Sequence, residues 1–239
     1  MKITFIGSSH GVPEAHRKCS CIMMEIGGNI YFLDMGTNAI DALRKRDMAV
    51  EDVKAVFVTH MHGDHTNGLI SFIDLITWYF KSADPVVCLP DIRAGKIIRD
   101  WLDVTQNRDQ KNIRYREIRA GIVYDDGCLK MTAIPTRHCE NSFAYLAEAG
   151  GKRILFTGDL QNPKVDFPVT EGKIDLAVCE AAHFEPVNYL PLFESMDIHK
   201  VCFTHYSDRF LSGVLDVCRR LNDGGIPALR AMDDTEIKL

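Results

Sequence analysis

The stretch Thr59-His60-Met61-His62-Gly63-Asp64-His65-Thr66 constrains this chain more than any other. The apolar-rich residues Val53 to Val58 before it read as a buried strand, and the residues after Asn67 read as a helix. Three imidazoles and a carboxylate are therefore held in the turn between the two. They cannot all reach one ion. The spacing of His60 and His62 suits one metal, and the adjacent Asp64 and His65 can turn to a second a few ångströms away. Imidazole and carboxylate ligands without thiolate favour zinc, with iron or manganese as alternatives.

Other strand ends repeat this arrangement. Val56-Phe57-Val58-Thr59-His60, Ile154-Leu155-Phe156-Thr157-Gly158-Asp159 and Val201-Cys202-Phe203-Thr204-His205 finish alike, and Pro135-Thr136-Arg137-His138 delivers a further histidine. Strands packed side by side in one core place their ends on a common rim, so His138, Asp159 and His205 can converge on the first turn. Two divalent cations set against Asp64, a bridging Asp159 and a hydroxide leave a slightly positive centre, suited to an anionic or carbonyl-bearing substrate. Hydrolysis is the natural chemistry of such a centre. His10 and His16 lie in the turn-rich opening loop and read as solvated. Cys19-Ser20-Cys21 has no second cysteine pair at zinc-finger spacing nearby and reads as small residues entering a strand.

A chain of 239 residues, 46% of them hydrophobic, can bury a full core, and with no linker or low-complexity tract it reads as one domain over 1–239. A net charge of -5 argues against a globally basic binder of nucleic acid or membrane. The eight scattered cysteines read as reduced core residues of a cytoplasmic protein. The start alternates like a strand and lacks the features of a signal peptide, and the apolar-rich Leu69 to Phe80 is too short to span a bilayer. Strands over Ser20 to Ile26 and Asn29 to Leu33, followed by a helix to about Arg46, make a layered α/β beginning. The helix Gly68 to Lys81 is apolar on nearly every face and must be covered on more than one side. A second copy, giving a homodimer, is the favoured cover; the loop around Trp101 is the competing one. Arg108, Lys111, Arg114, Arg116 and Arg119 read as a solvated loop and edge strand, with an anion-binding strip as the functional alternative.

These residues resemble the metallo-β-lactamase superfamily, whose His-x-His-x-Asp-His signature is matched by His60, His62, Asp64 and His65. The resemblance implies a four-layer αββα sandwich of the α/β class with a two-metal site on its edge. It further implies that His60, His62 and His138 hold one metal, that Asp64, His65 and His205 hold the second, and that Asp159 bridges. Within the superfamily the chain is most similar to the ribonuclease Z branch, through Phe5-Ile6-Gly7-Ser8-Ser9-His10-Gly11-Val12-Pro13, Leu33-Asp34-Met35-Gly36 and His205-Tyr206-Ser207-Asp208-Arg209-Phe210. Two departures matter. Only about twenty residues separate His138 from Asp159, which leaves no room for that branch's tRNA-gripping arm. The branch's His-Glu-Ala-Thr motif stands here as Cys179-Glu180-Ala181-Ala182-His183. The chain thus looks more like the compact, armless phosphodiesterases, acting on a small or cyclic phosphodiester. RNA cleavage of the ribonuclease Z type, acyl or lactone hydrolysis, and a non-catalytic metal-dependent sensor are the alternatives. The catalytic candidates are Asp64, itself a ligand, and His183, which takes the place of the missing proton donor.

Overall fold

The computed structural model describes residues 1–107 and 113–239. Of the basic strip, Arg108 and Lys111 lie outside the described residues. The first half runs β1 (Lys2–Gly7), β2 (Cys21–Ile26), β3 (Asn29–Leu33), α1 (Ala39–Arg44), β4 (Val53–Phe57), α2 (Gly63–Trp78), β5 (Val86–Leu89), α3 (Arg93–Val104) and β6 (Arg114–Glu117). It continues through β7 (Gly121–Asp125), β8 (Lys130–Pro135), β9 (Phe143–Ala149), β10 (Lys152–Phe156), α4 (Pro163–Asp166), β11 (Leu176–Ala181) and α5 (Leu190–Ser195). It closes with β12 (Val201–Tyr206), α6 (Leu211–Asp223), β13 (Ala228–Arg230) and β14 (Glu236–Lys238).

Two seven-stranded sheets result, ordered β14-β1-β2-β3-β4-β5-β6 and β13-β12-β11-β10-β9-β8-β7. Their inner strands, such as β3, β4, β5 and β11, are buried on both faces because each sheet is covered on both. Successive residues of β3 show the alternation: Tyr31 and Leu33 join the core between the sheets, while Ile30 and Phe32 face the outer layer of helices. The inner core sets Phe5, Met24 and Phe57 of one sheet against Met131, Tyr145, Phe156 and Val178 of the other. Outside the first sheet lie Leu43 of α1, Phe72 and Ile76 of α2, and Leu102 of α3. Phe193 of α5 and Val214, Val217 and Leu221 of α6 cover Phe203 and Ala177 of the second. The layer order is helix, sheet, sheet, helix.

Three features differ from the sequence reading. The helix expected over Gly68 to Lys81 is α2, which begins at Gly63 and ends at Trp78. It is not covered all round: Leu69, Phe72, Ile73 and Ile76 are buried, but Ser71 is exposed and Trp78 and Tyr79 stand in solvent at 51% and 62% exposure. The short strands β13 and β14 carried no apolar run and were not anticipated; β14 pairs antiparallel with β1, completing the first sheet with the last residues of the chain. Among the described residues no helix is long and apolar enough to cross a membrane.

Candidate metal centre

Strand direction decides where the ligand-type residues meet. In the first sheet β3, β4, β5 and β6 run parallel, and in the second β10, β11 and β12 do. β8 is antiparallel to β9 and β9 to β10, so β8 runs with β10. The C-terminal ends of β4, β8, β10, β11 and β12 thus share a rim, the usual place for a site in a sheet of this kind. His60 follows β4, His138 follows β8 and Asp159 follows β10. His62 caps α2, and Asp64 and His65 occupy its first turn rather than the turn before it. Polar residues from Gly63 to Asn67 hid the helix start from a periodicity argument, although a carboxylate in a first turn suits the helix dipole. His205 lies inside β12, not beyond its end.

The seven residues come together. His60 Nε2 lies 2.9 Å from His62 Nδ1, which lies 3.2 Å from His138 Nε2. His65 Nε2 is 3.3 Å from Asp64 Oδ2, and His205 Nε2 is 3.7 Å from the same oxygen. Between the two clusters stands Asp159, with Oδ2 at 3.7 Å from His60, 3.7 Å from His138, 3.5 Å from His65 and 3.2 Å from His205. Burial drives the His60 imidazole down to a pKa of about 2, and the charge of His65 acts the same way, so its ring is a neutral donor. Burial would raise the Asp159 carboxyl, but the charges of His205 and His65 hold it well below the carboxylate range. Asp64 is lowered likewise, the hydrogen bond and charge of His65 outweighing burial.

A further layer positions these donors. Asp34 ends β3 with φ 56 and is buried; it accepts from Thr59 N at 2.7 Å and from His65 Nδ1–H at 2.7 Å. The Thr59 hydroxyl lies 3.0 Å from Asp34 Oδ1 and 3.1 Å from His60 Nδ1. The chain packs so closely here that only glycine fits at position 36, where a Cβ would stand 1.7 Å from the Asp64 carbonyl oxygen. Buried Glu180 accepts from Leu160 N and Ala182 N, each at 2.8 Å, and from His183 Nδ1–H at 2.9 Å. His183 thereby presents Nε2 toward Asp159 Oδ2 at 3.9 Å, beside His138. Burial lowers the His183 pKa, but the Glu180 hydrogen bond and charge more than offset it and raise it to about 9.

His205 is delivered differently. The pairing of β11 with β12 steps from Glu180↔Thr204 to Ala181↔Tyr206, so His205 is the extra residue of a β-bulge, with φ 49. That left-handed backbone costs about 1–3 kcal/mol in a residue other than glycine. Its N–H donates to Ser8 O at 2.9 Å instead of to the sheet.

The opening loop folds back over the centre, since a Cβ on Gly11 would lie 3.7 Å from Asp64 Oδ2. His10 nonetheless pairs with Glu14 at 3.0 Å, His16 is exposed, and neither joins a ligand group among the described residues. Cys19 and Cys21 are buried at the entry to β2. On the edge strand β6, Arg114 pairs with Asp84 and Arg116 donates to Val123 O, while Arg119 beyond it pairs with Glu117.

The donor set fits metal ions. His60, His62 and His138 form one group and Asp64, His65 and His205 another, the ligand atoms of each lying within 4.8 Å of one another. Among the described residues, buried His65 Nε2 has no well-aligned hydrogen-bond partner and faces the Asp64 and Asp159 oxygens at 3.3 and 3.5 Å, as an atom aimed at a cation would. His138, Asp159 and His183 make a further group of the same size. Asp34, Thr59 and Glu180 stood in motifs the sequence reading quoted, but their orienting roles escaped it. The threonine recurring at Thr59, Thr157 and Thr204 was the available signal, since Thr157 Oγ1 also accepts from Glu180 N.

Known proteins share this architecture. The metallo-β-lactamase fold protein YhfI from Bacillus subtilis superposes with a TM-score of 0.77 at 17% identity, over 99% of each chain. Human tRNase Z, short form, gives 0.75 at 18% identity, over 100% of this chain and 99% of that one. These likenesses establish the metallo-β-lactamase fold. The Ribonuclease Z of Staphylococcus saprophyticus subsp. saprophyticus is 25% identical over 189 residues, 78% of this chain and 56% of that protein. The chain thus spans about half the length of the curated relatives it matches, and it stands in the ribonuclease Z-like branch. The model of a family described as Anti-Pycsar protein Apyc1 matches residues 1–212.

Proposed function

The chain belongs to the Anti-Pycsar protein Apyc1 family, and on that footing we propose that it is a dinuclear metal-dependent phosphodiesterase acting on a small or cyclic phosphodiester. The observation that carries this reading is the pair of three-donor groups flanking one buried carboxylate, Asp159. His60, His62 and His138 would hold one ion, Asp64, His65 and His205 the other, with Asp159 between them. The nitrogen and oxygen donors favour zinc over softer-ligand metals. When bound, the ions supply a Lewis acid and an activated water for attack at phosphorus. A compact substrate is supported by the tight β9–β10 hairpin, turned at Gly150-Gly151, which occupies the place where a tRNA-gripping arm would emerge.

The remaining steps belong to the chain's own side chains. Asp34 fixes the His65 tautomer through its Nδ1–H, so that Nε2 faces the centre. Glu180 does the same for His183. His183, protonated on Nε2, donates to the departing oxygen, a role typically worth about 10² to 10⁴-fold. The eight free cysteines support a reducing, cytoplasmic setting. The exposed aromatic end of α2 supports a homodimer.

Elemental analysis should find close to two metal equivalents per chain, and Asp159→Ala should lower both. The loaded protein should cleave bis-p-nitrophenyl phosphate and a cyclic nucleotide. Cleavage of lactones or of precursor tRNA alone replaces this reading, and no turnover of any substrate at two metals per chain favours a sensor. His183→Ala should barely slow a nitrophenyl diester, whose leaving group departs unaided, yet strongly slow a ribose or alkyl diester at unchanged metal content. Equal losses on both, or loss of metal, remove His183 as the acid.

A further inference from the structure

We infer that Arg17 is the positioning residue that fixes His205 in the centre, and that it does so through the backbone on both sides of that histidine. The inference rests on reading His205 as a ligand of the second ion.

Three neighbouring histidines have their rings oriented by an oxygen at Nδ1: Thr59 Oγ1 beside His60, Asp34 beside His65 and Glu180 beside His183. His205 has none. Its Nδ1 is buried without a partner among the described residues, so on that side no hydrogen bond sets the angle of its ring, and the contact its Nε2 makes, 3.2 Å to Asp159, lies in the centre itself. The direction of the side chain must come from its backbone, which sits in a left-handed bulge.

Arg17 grips that bulge. One of its terminal nitrogens, Nη1, donates to Ser8 O at 3.2 Å and to Tyr206 O at 2.8 Å, while Nη2 reaches Asp208 Oδ1 at 3.1 Å. Ser8 O is also the acceptor of the His205 N–H, and Tyr206 is the next residue in the chain. A single guanidinium therefore bridges the strand leaving His205 and the loop that receives its amide. The guanidinium also stacks over the Tyr206 ring, 4.0 Å from its centroid. Arg17 itself is 5% exposed although residues on both sides of it are in an open loop. Burying an arginine that points at main-chain carbonyls is explained by what those carbonyls hold in place. The planar fork is needed for this, since an ammonium is a point charge without the spread to span the same acceptors.

The test uses the full chain with Arg17→Met, which keeps the stem and removes the fork, and Arg17→Lys as the milder variant. Zinc titration against a chromophoric chelator should leave the first equivalent as in the unaltered protein and weaken the second by about 10- to 100-fold in Arg17→Met, the range for loss of a residue that orients a ligand. Arg17→Lys should fall between. In the metal-free protein, residue-resolved amide exchange should quicken by about tenfold or more at His205 while Cys202 and Phe203 keep their protection. Wild-type affinity for both equivalents in Arg17→Met overturns the proposal. So does equal weakening of both equivalents with faster exchange throughout β11 and β12, which is general destabilisation. Should His205→Ala bind metal like the unaltered protein, the ligand reading itself is lost. Exchange at the His205 amide then judges Arg17 alone, faster exchange supporting the backbone grip and unchanged exchange removing it.

Discussion

Asp34 belongs to none of the ligand groups, yet it ties the Thr59 backbone and hydroxyl to the His65 ring. An Asp34→Asn change keeps the volume but removes the charge behind the imidazole, and its amide can present N–H where an acceptor is required. Metal affinity measured by chelator competition should fall by about 10- to 100-fold, and an unchanged affinity would show that His65 does not depend on this partner. The ligands themselves were legible because histidines clustered at strand ends announce their chemistry by type and spacing. Asp34, Glu180 and Arg17 were not, because each acts on a residue brought to it by the fold: Asp34 reaches a histidine 31 positions on, and Arg17 a carbonyl 189 positions on. Nothing local distinguishes such a carboxylate or guanidinium from one on the surface.

Strands that alternate between two buried faces carry an unbroken apolar pattern, so β2, β3 and β4 could be read within a residue of their ends. Where a functional residue or a half-exposed edge interrupts the pattern the reading failed, at the start of α2 and at β13 and β14. The two sheets are also joined by a contact that periodicity cannot show. Tyr31 of β3 donates at 2.6 Å, and Tyr124 of β7 at 3.0 Å, to Oδ2 of Asp126 in the β7–β8 turn, whose Oδ1 accepts from Cys128 N and Leu129 N. Burial would raise the Asp126 carboxyl, but the Tyr31 hydrogen bond and the backbone N–H groups leave it lowered. A depressed folded-state pKa means stability present above the unfolded value of about 4 and lost as pH falls through the folded value. Asp126→Asn should therefore lower resistance to urea at pH 7, with the gap to the unaltered protein closing toward pH 3. A gap of equal size at both pH values would assign the loss to something other than this charge.

At the scale of the molecule, the outer helices leave aromatic and aliphatic side chains in solvent: Trp78 at the end of α2 and Tyr79 just past it, and Ile97, Trp101 and Val104 on α3, each more than half exposed. The competing cover, the segment around Trp101 of the same chain, does reach α2 in part, since Asn107 donates to Asp74 O and Thr77 Oγ1, but Trp101 itself remains 55% exposed. If the proposed homodimer forms through these side chains, light scattering should give twice the chain mass at micromolar concentration, and Trp78→Glu with Trp101→Glu should give single chains. A monomer before any substitution sinks the dimer. The pairing of β14 with β1 has a consequence in time. During synthesis β1 emerges ahead of its two neighbours and can gain β2 at once, but its other side waits for Glu236 to Lys238. At about 5–20 residues per second the intervening chain takes on the order of 10–50 seconds to appear. Throughout that interval a strand with unpaired amides and carbonyls is open to any passing chain. Nascent molecules of this protein should thus be most prone to mispairing at the strand of that sheet made before its partners, and a ribosome-stalled product lacking β14 should aggregate where the released one does not.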